Sequence, residues 1–384
     1  MKKIFIIYMV VFLMALFIEP VYAFNSDVKE SSLDVKEVRV GLKGLASSKL
    51  TLTINGEYTV NNKKVKDQVI TITYKNKKLL YNGYLESVID IKPSSKESYI
   101  SSKYKGTSHN FEGRFIIRPS KGEVLPINFV SIESYIKGVL PYEMSSSYPV
   151  EALKAQAVSA RNYAVTSRDK HRNEKFDVCD GIHCQVYKGI HRDCPKIEGA
   201  VESTRGEVLM EGDDVVKAFF YSSNGGVTES SKDVWNSEFS YLLSQVDKFD
   251  TDKWTRELST KDIDKILKKK RYLKHHEEFA SIKDVVKGEG GRVKSLILNI
   301  KQQNKAVKNL VIDREGTRIA LGLKSNYYNI TFNKSSSTYT IIGGGFGHGV
   351  GLSQLGAKNR ALNGQGYRDI LSFYYKGTNI KKIP

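Results

Sequence analysis

Acidic residues are the scarcer charge in this 384-residue chain: 42 Asp+Glu stand against 60 Lys+Arg, a formal net charge of +18. Such a field favours a polyanionic partner, whether nucleic acid, an anionic membrane or an acidic cell-wall polymer. The basic residues are spread along the chain, however, and no dense Lys/Arg run carries interleaved aromatics, which argues against nucleic acid. Long apolar runs are also missing beyond the N-terminus, so a multi-span membrane protein is excluded. No G-K-[ST] ends a glycine loop and no GxGxxG follows a strand in a βαβ unit, which removes the P-loop and dinucleotide folds. No internal repeat is present. Cysteine is rare and odd in number: Cys179, Cys184 and Cys194 fall within sixteen residues.

What is present describes an ordinary globular protein, with 40% hydrophobic and 27% charged residues. Lys2 and Lys3 precede an apolar run from Ile4 to Ile18, then Pro20 and the small-residue ending Val21-Tyr22-Ala23. This is the layout of an export signal over residues 1–23, either cleaved or kept as an N-terminal membrane anchor. It places the rest of the chain outside the cytoplasm, where wall polymer is the abundant polyanion.

Residues 24–36 are polar and read as a linker. From residue 37 to 131 alternating runs such as L-T-L-T-I-N-G-E-Y-T-V and V-I-T-I-T-Y predict a β-rich part, with a hairpin turn at Asn55-Gly56. Residues 132–238 hold the clearest helix: Pro149 and Glu151 give a start signal, and E-A-L-K-A-Q-A-V-S-A-R-N-Y-A follows with Leu153, Ala157, Ala160 and Ala164 at helical spacing. Its small residues predict close packing. A second helix start lies at Cys194-Pro195, and V-V-K-A-F-F-Y reads as a buried strand ending in a Ser222-Ser223-Asn224-Gly225-Gly226 turn. Residues 239–340 are Lys-rich and mixed, with an amphipathic helix at Asp262–Lys270 and a strand at S-L-I-L-N-I; they read as an accessory segment. Residues 341–384 carry a glycine-rich loop and C-terminal helices. The fold class is α+β, a β-rich body with helices flanking a substrate groove.

Three short stretches stand out chemically. In V-L-P-Y-E-M, Val139 to Met144, one carboxylate sits among apolar and aromatic neighbours. Glu143 is a surface accident, a salt-bridge partner, or an acid whose proton affinity is raised by desolvation. The S-S-N-G-G turn offers hydroxyls and backbone N–H groups, or is simply a turn. Gly343 to Gly351 contains six glycines in nine residues, so the backbone there must approach something closely or adopt unusual dihedrals. It presents His348, then Ser353 and Gln354 opening a helix. A lone histidine is commonly structural, but one inside a glycine loop has little packing purpose.

Taken together, V-L-P-Y-E-M-S-S-S-Y-P-V-E-A-L-K-A-Q-A-V-S-A-R-N-Y-A, F-F-Y-S-S-N-G-G and G-F-G-H-G-V-G-L-S-Q-L-G-A resemble, in content and order, the stage II sporulation protein D family, which includes amidase-enhancer proteins. The resemblance implies a lytic transglycosylase that cuts the bond between N-acetylmuramic acid and N-acetylglucosamine in peptidoglycan strands whose stem peptides an amidase has removed. It implies a role in forespore engulfment, in the space between mother-cell and forespore membranes. It makes Glu143 the catalytic acid, and Gln156, Arg161, Tyr163, Ser222, Ser223, Asn224, Gly225, Gly226, His348, Ser353 and Gln354 candidates for binding glycan. Partners implied are the glycan strand, the amidase called stage II protein P and the membrane protein called stage II protein M, with no nucleic acid. The alternative within the family is a non-catalytic glycan binder that stimulates an amidase.

The chemistry is consistent with that resemblance. Glycosidases commonly use two carboxylates, yet no acid follows Glu143 until Glu151, and neither turn nor glycine loop carries one. A transglycosylase needs one, because the substrate's own C6 hydroxyl is the nucleophile. No cofactor is required. Separately, His171, Cys179, His183 and Cys184 supply two imidazoles and two thiols within fourteen residues, the ligand set of a closed structural zinc site. His191 and Cys194 are rival ligands, and a Cys179–Cys184 disulfide is the alternative for an exported protein.

Overall fold

The computed structural model describes residues 36–190 and 194–383; the export-signal expectation and nearly all of the linker lie outside them, as does His191. Among the described residues no helix is long and apolar enough to cross a membrane.

The fold is α+β. Residues 37–131 form ten strands of an eleven-stranded sheet, and alternation supplies its buried face: Leu50, Leu52 and Ile54 point inward along Lys49–Val60. The expected hairpin at Asn55-Gly56 is instead a bulge inside this strand. Gly56 takes φ +88°, its N–H donates to Asp67 at 2.6 Å, and the pairing register shifts between Ile54 and Glu57. The turn comes at Asn61-Asn62, both at positive φ, the pair that closes a two-residue hairpin with the right twist. The eleventh strand, Val178–Cys179, adds in parallel to Glu37–Gly41 and brings the cysteine segment to the sheet edge.

Eight helices are described: α1 Ile132–Glu143, α2 Val150–Thr166, α3 Pro195–Ser203, α4 Ser231–Trp235, α5 Thr260–Lys269, α6 Glu315–Leu321, α7 Gln354–Leu362 and α8 Tyr367–Tyr374. α1, α4 and α6 are not among the helices the sequence patterns predict, and α1 matters most because it carries Glu143. Ser131 caps it, accepting from the Ser134 N–H at 3.2 Å, and Ile132, Tyr135, Ile136, Val139 and Leu140 make its buried stripe. Pro141 lies inside it and masks the helical signal: it cannot donate to the carbonyl four residues back, and the helix ends two residues later at Glu143.

α2 follows the expected start and is buried nearly all round, with Ala152, Ala155, Ala157, Ala160 and Ala164 fully covered. Alanines let α1, α3, α7 and α8 all pack against it. It is the axis of the larger core, which also takes the sheet's inner face. The segment read as one buried strand is two short ones, Asp214–Val215 and Phe220–Tyr221, the second paired in parallel with Leu352–Ser353.

The accessory segment has a core of its own, built from Trp254, Leu258, Ile263, Leu267, Leu296, Leu298, Ile300 and Ile341 among others. Two three-stranded sheets and helices α5 and α6 enclose it. α5 starts on a reciprocal capping box between Ser259 and Asp262. The strand Thr338–Gly344 leaves this core and delivers the glycine loop. Its last glycines are strand residues after all, because a Cβ at Gly343 would meet the Trp254 indole at 2.3 Å.

Candidate functional site

Glu143 is the last residue of α1, half-buried, and its carboxylate projects where three segments meet. The Val186 N–H donates to Oε1 at 3.1 Å. The Gln354 side chain reaches the same carboxylate. Burial pushes its pKa above the usual carboxylate value, and these two contacts only partly oppose the shift. Of the three readings open for Glu143, a salt bridge is not what the structure shows. No cation and no second carboxylate acts on it among the described residues.

Val186 is held by its neighbours. Gln185 accepts from the buried Tyr135 hydroxyl at 3.0 Å, and the Tyr187 hydroxyl donates to Asn128 at 2.9 Å. On the other side, Phe220–Tyr221 and Leu352–Ser353 run parallel, with Tyr221 opposite Ser353. The residues that follow, Ser222 and Gln354, therefore emerge together, and the Leu355 N–H donates to the Ser222 carbonyl at 2.9 Å. Ser222 is exposed and Gln354 turns to Glu143. Glu143, Gln354 and the Val186 N–H thus meet, from residues more than 200 positions apart, with Ser222 on the segment paired beside Gln354.

The other residues of the S-S-N-G-G turn face inward. Ser223 Oγ, Ser353 Oγ and the Asn224 N–H donate to Asp250 at 2.6, 2.5 and 2.5 Å, and the Gly225 N–H adds a fourth contact at 3.3 Å. Asn224 donates its amide to Asp247 at 2.8 Å and accepts the Gly226 N–H at 2.7 Å. Asp247 in turn accepts from Tyr374 and Arg360 at 2.5 and 2.7 Å. Asp247 and Asp250 were not anticipated. They are fully buried acids in a Lys-rich stretch, and their D-x-x-D spacing gives no hint of partners more than twenty residues away.

His348 is also bound at both nitrogens. Nδ1 accepts the Val350 N–H at 3.1 Å, so Nε2 carries the proton and donates to the Phe220 carbonyl at 3.1 Å. Tyr221 and Trp235 flank the ring, each with centroids 5.0 Å away. Burial pushes its pKa down to about 4, so it is neutral at pH 7. Gly345 meets the turn: at φ +73°, a Cβ there would lie 2.4 Å from the Ser223 carbonyl oxygen.

The polar residues of α2 go three ways. Arg161, 0% exposed, forms a two-pronged pair with Glu133 at 3.0 and 2.6 Å and donates to the Glu207 carbonyl at 3.0 Å. It lines no surface beside Glu143. Gln156 is fully buried, and its amide finds no partner among the described residues. The Tyr163 hydroxyl accepts from Lys170 at 2.9 Å and contacts Cys184.

Tyr163 thereby joins the cysteine segment. The ligand atoms of His171, Cys179, His183 and Cys184 all lie within 4.8 Å of one another. Three edges are resolved: Cys179 Sγ to His183 Nδ1 at 3.8 Å, Cys184 Sγ to His183 Nδ1 at 3.6 Å, and Cys184 Sγ to His171 Nε2 at 3.4 Å. A tetrahedral zinc with Zn–S about 2.3 Å and Zn–N about 2.0 Å has S···N edges of about 3.5 Å, so the donor set fits. His171 Nδ1 meets Glu174 at 2.8 Å, and Lys43 meets the same carboxylate at 2.9 Å, which sets the ring to offer Nε2. The thiols are free, not joined, and Cys194 stands apart as the residue before α3.

Comparison with known proteins gives the same answer as the motifs. The sequence model of the stage II sporulation protein family matches residues 120–210. Stage II sporulation protein D of Bacillus subtilis (strain 168) is 31% identical over 66% of this chain and 75% of its own length. This chain belongs to the stage II sporulation protein D family. The family's matched span covers α1, α2 and the cysteine segment, and so holds Glu143 and Val186. A second model, a domain of unknown function (DUF8618), matches residues 225–351, from the end of the S-S-N-G-G turn through the accessory core to the glycine loop. An amidase enhancer of B. subtilis is 34% identical over 64% of this chain but only 40% of its own length. An uncharacterized protein of Brachyspira hyodysenteriae (strain ATCC 49526 / WA1) is 31% identical over 86% of this chain and 89% of its own.

Proposed function

We propose that this protein is an exported lytic transglycosylase of sporulation that cleaves stripped peptidoglycan strands between N-acetylmuramic acid and N-acetylglucosamine. The observation that carries the reading is Glu143: one carboxylate with a raised pKa, partnered by an amide and a backbone N–H, with no second acid acting on it among the described residues. A protonated Glu143 donates to the glycosidic oxygen as the C1–O bond breaks. The carboxylate left behind takes the proton from the C6 hydroxyl, whose oxygen closes onto C1 to give a 1,6-anhydro ring. A group serving as acid and then base works best with a pKa near ambient pH, which burial favours here. On this reading Gln354 and Ser222 hold the sugar's polar groups. The net charge of +18 suits an anionic polymer.

The test is mass spectrometry of products from amidase-treated glycan strands. Anhydro-muramoyl ends are expected from the wild type and none from Glu143→Gln. Water-terminated ends would make the enzyme a hydrolase.

A second reading is favoured by the 34% identity to a protein named amidase enhancer: glycan binding that stimulates an N-acetylmuramoyl-L-alanine amidase without cleavage. Stimulation undiminished by Glu143→Gln, with no anhydro products from the wild type, selects it. The amidase of the same sporulation stage and its membrane partner are the expected companions on either reading.

The His171, Cys179, His183 and Cys184 set supports a structural zinc. Such an ion would fix the loop whose next residues, Gln185 to Tyr187, hold Val186 against Glu143. One zinc per chain by elemental analysis, lost in Cys184→Ser together with amide-exchange protection at Val186, is the expected result. An intramolecular Cys179–Cys184 disulfide in the protein isolated under oxidising conditions would replace the metal with the alternative cross-link.

A further inference from the structure

The glycine loop exposes an aromatic ring that nothing above uses. Phe346 is 53% exposed. A single exposed apolar side chain is ordinary on a protein surface, but this one stands on a backbone held from both sides. Its N–H donates to the Ser223 carbonyl at 2.8 Å, and the Ser223 N–H donates back at 3.1 Å. The flanking glycines, at φ +73° and +115°, are crowded: a Cβ at Gly347 would meet the Tyr221 Cβ at 2.8 Å. The backbone is thus fixed on both sides of Phe346, and its ring stands half in water, forgoing part of the roughly 25 cal/mol per Å² that burial gains.

The position of the ring is specific. Ser223 follows Ser222, whose carbonyl binds the Leu355 N–H, and Leu355 follows Gln354, which reaches Glu143. A succession of hydrogen-bonded neighbours thus connects the ring's residue to the acid's. On the far side of the ring the Gly347 N–H donates to the Lys324 carbonyl at 3.1 Å, and Ser325 Oγ donates to the Gly344 carbonyl at 2.6 Å. Lys324, exposed, is therefore anchored beside the aromatic residue.

We infer that Phe346 and Lys324 form a sugar subsite that recognises a muramic acid residue by its free lactyl carboxylate. The pyranose face stacks on the ring and the ammonium pairs with the carboxylate. That carboxyl is an amide while a stem peptide is attached and becomes an anion only when the peptide is removed. A lysine at this place therefore favours the stripped strand by charge. The inference rests on the glycan reading above and adds the residues that sense the strand's chemical state.

The experiment measures binding by the full chain carrying Glu143→Gln, which stops turnover. Its ligands are stripped glycan strands and an uncharged N-acetylglucosamine tetramer. Phe346→Ala is expected to weaken both ligands about tenfold, and Phe346→Trp to restore them, as loss and return of a buried aromatic contact would. Lys324→Met is expected to weaken the stripped strand about fivefold, reduce its salt dependence, and leave the tetramer unchanged. Equal losses for both ligands in Lys324→Met, or none for the stripped strand, overturn the carboxylate assignment. Unchanged affinity in a folded Phe346→Ala overturns the stacking. Failure of the parent Glu143→Gln protein to bind either ligand instead sinks the glycan reading itself.

Discussion

Two carboxylates close to the same pair of short strands are treated in opposite ways. Asp250 accepts from two hydroxyls and two backbone N–H groups, and every one of them ties the S-S-N-G-G turn to the Ser353 cap. Glu143 accepts one backbone N–H and is reached by one side-chain amide, and burial keeps its pKa high. A buried acid surrounded by donors is held in place, which suits a structural hub. An acid buried with too few donors holds its proton more tightly and can pass it on. The contrast separates an acid that builds the site from the one proposed to work in it, although both lie in the same part of the fold.

The sharpest way to test that contrast is to neutralise each acid. Glu143→Gln should abolish anhydro-product formation by about 10³-fold, the range for loss of a general acid, in a protein that stays folded. Its stability should not fall at neutral pH. A carboxyl with a raised folded-state pKa binds protons more tightly in the native state, so the native state loses stability as pH rises through the window above the ordinary value of 4.5, and the neutral amide escapes that loss. Denaturant melts at pH 7 check this: a clear destabilisation of Glu143→Gln would mean the residue is structural.

Asp250→Asn should do the reverse. An amide set among four donors leaves buried N–H groups facing one another, at a cost of about 2–4 kcal/mol. The unfolding free energy from urea melts should drop by that amount, and any loss of activity should follow the unfolded fraction. An Asp250→Asn protein as stable as wild type but inactive would move Asp250 into the chemistry and collapse the distinction.

How much of this could be read beforehand depended on distance along the chain. Glu143 stood out because its neighbours are apolar in sequence as well as in space, and the ordered motifs carried its family. The His171, Cys179, His183 and Cys184 set is compact in sequence and is found compact in space. α2 was legible from its alanines and its start signal. α1 was not, because Pro141 and Gly138 break a pattern that tertiary packing restores. Asn55-Gly56 misled because the same positive φ that closes a hairpin also makes a bulge. The roles of Arg161, Ser223, Asn224 and Ser353 depend on Glu133 and Asp250, which lie 26 to 103 residues away and leave no local trace. Motif membership marked these positions; only the fold shows that their polar atoms are turned inward.

The smallest expected effect concerns His348, and it asks on which side of the contrast the glycine loop falls. With Nδ1 accepting from Val350 and Nε2 donating to Phe220, the ring has no site for a second proton; protonated Nδ1 would set one N–H against another. Its pKa of about 4 in the folded protein lies below the ordinary 6.5, so the unfolded chain takes up a proton first as pH falls. The stability this histidine contributes is therefore complete above pH 6.5 and is lost progressively as pH drops toward 4. Glu143, with its raised pKa, pulls the other way over part of that range, so the informative quantity is a difference. Wild type and His348→Gln should be compared by urea midpoint from pH 7 to pH 4.5. The wild type should lose stability more steeply, and the gap between the two should narrow as the pH falls. Parallel pH profiles would show that the ring does not carry this burden and that its nitrogens are free for a ligand, which would place His348 with Glu143 rather than with Asp250.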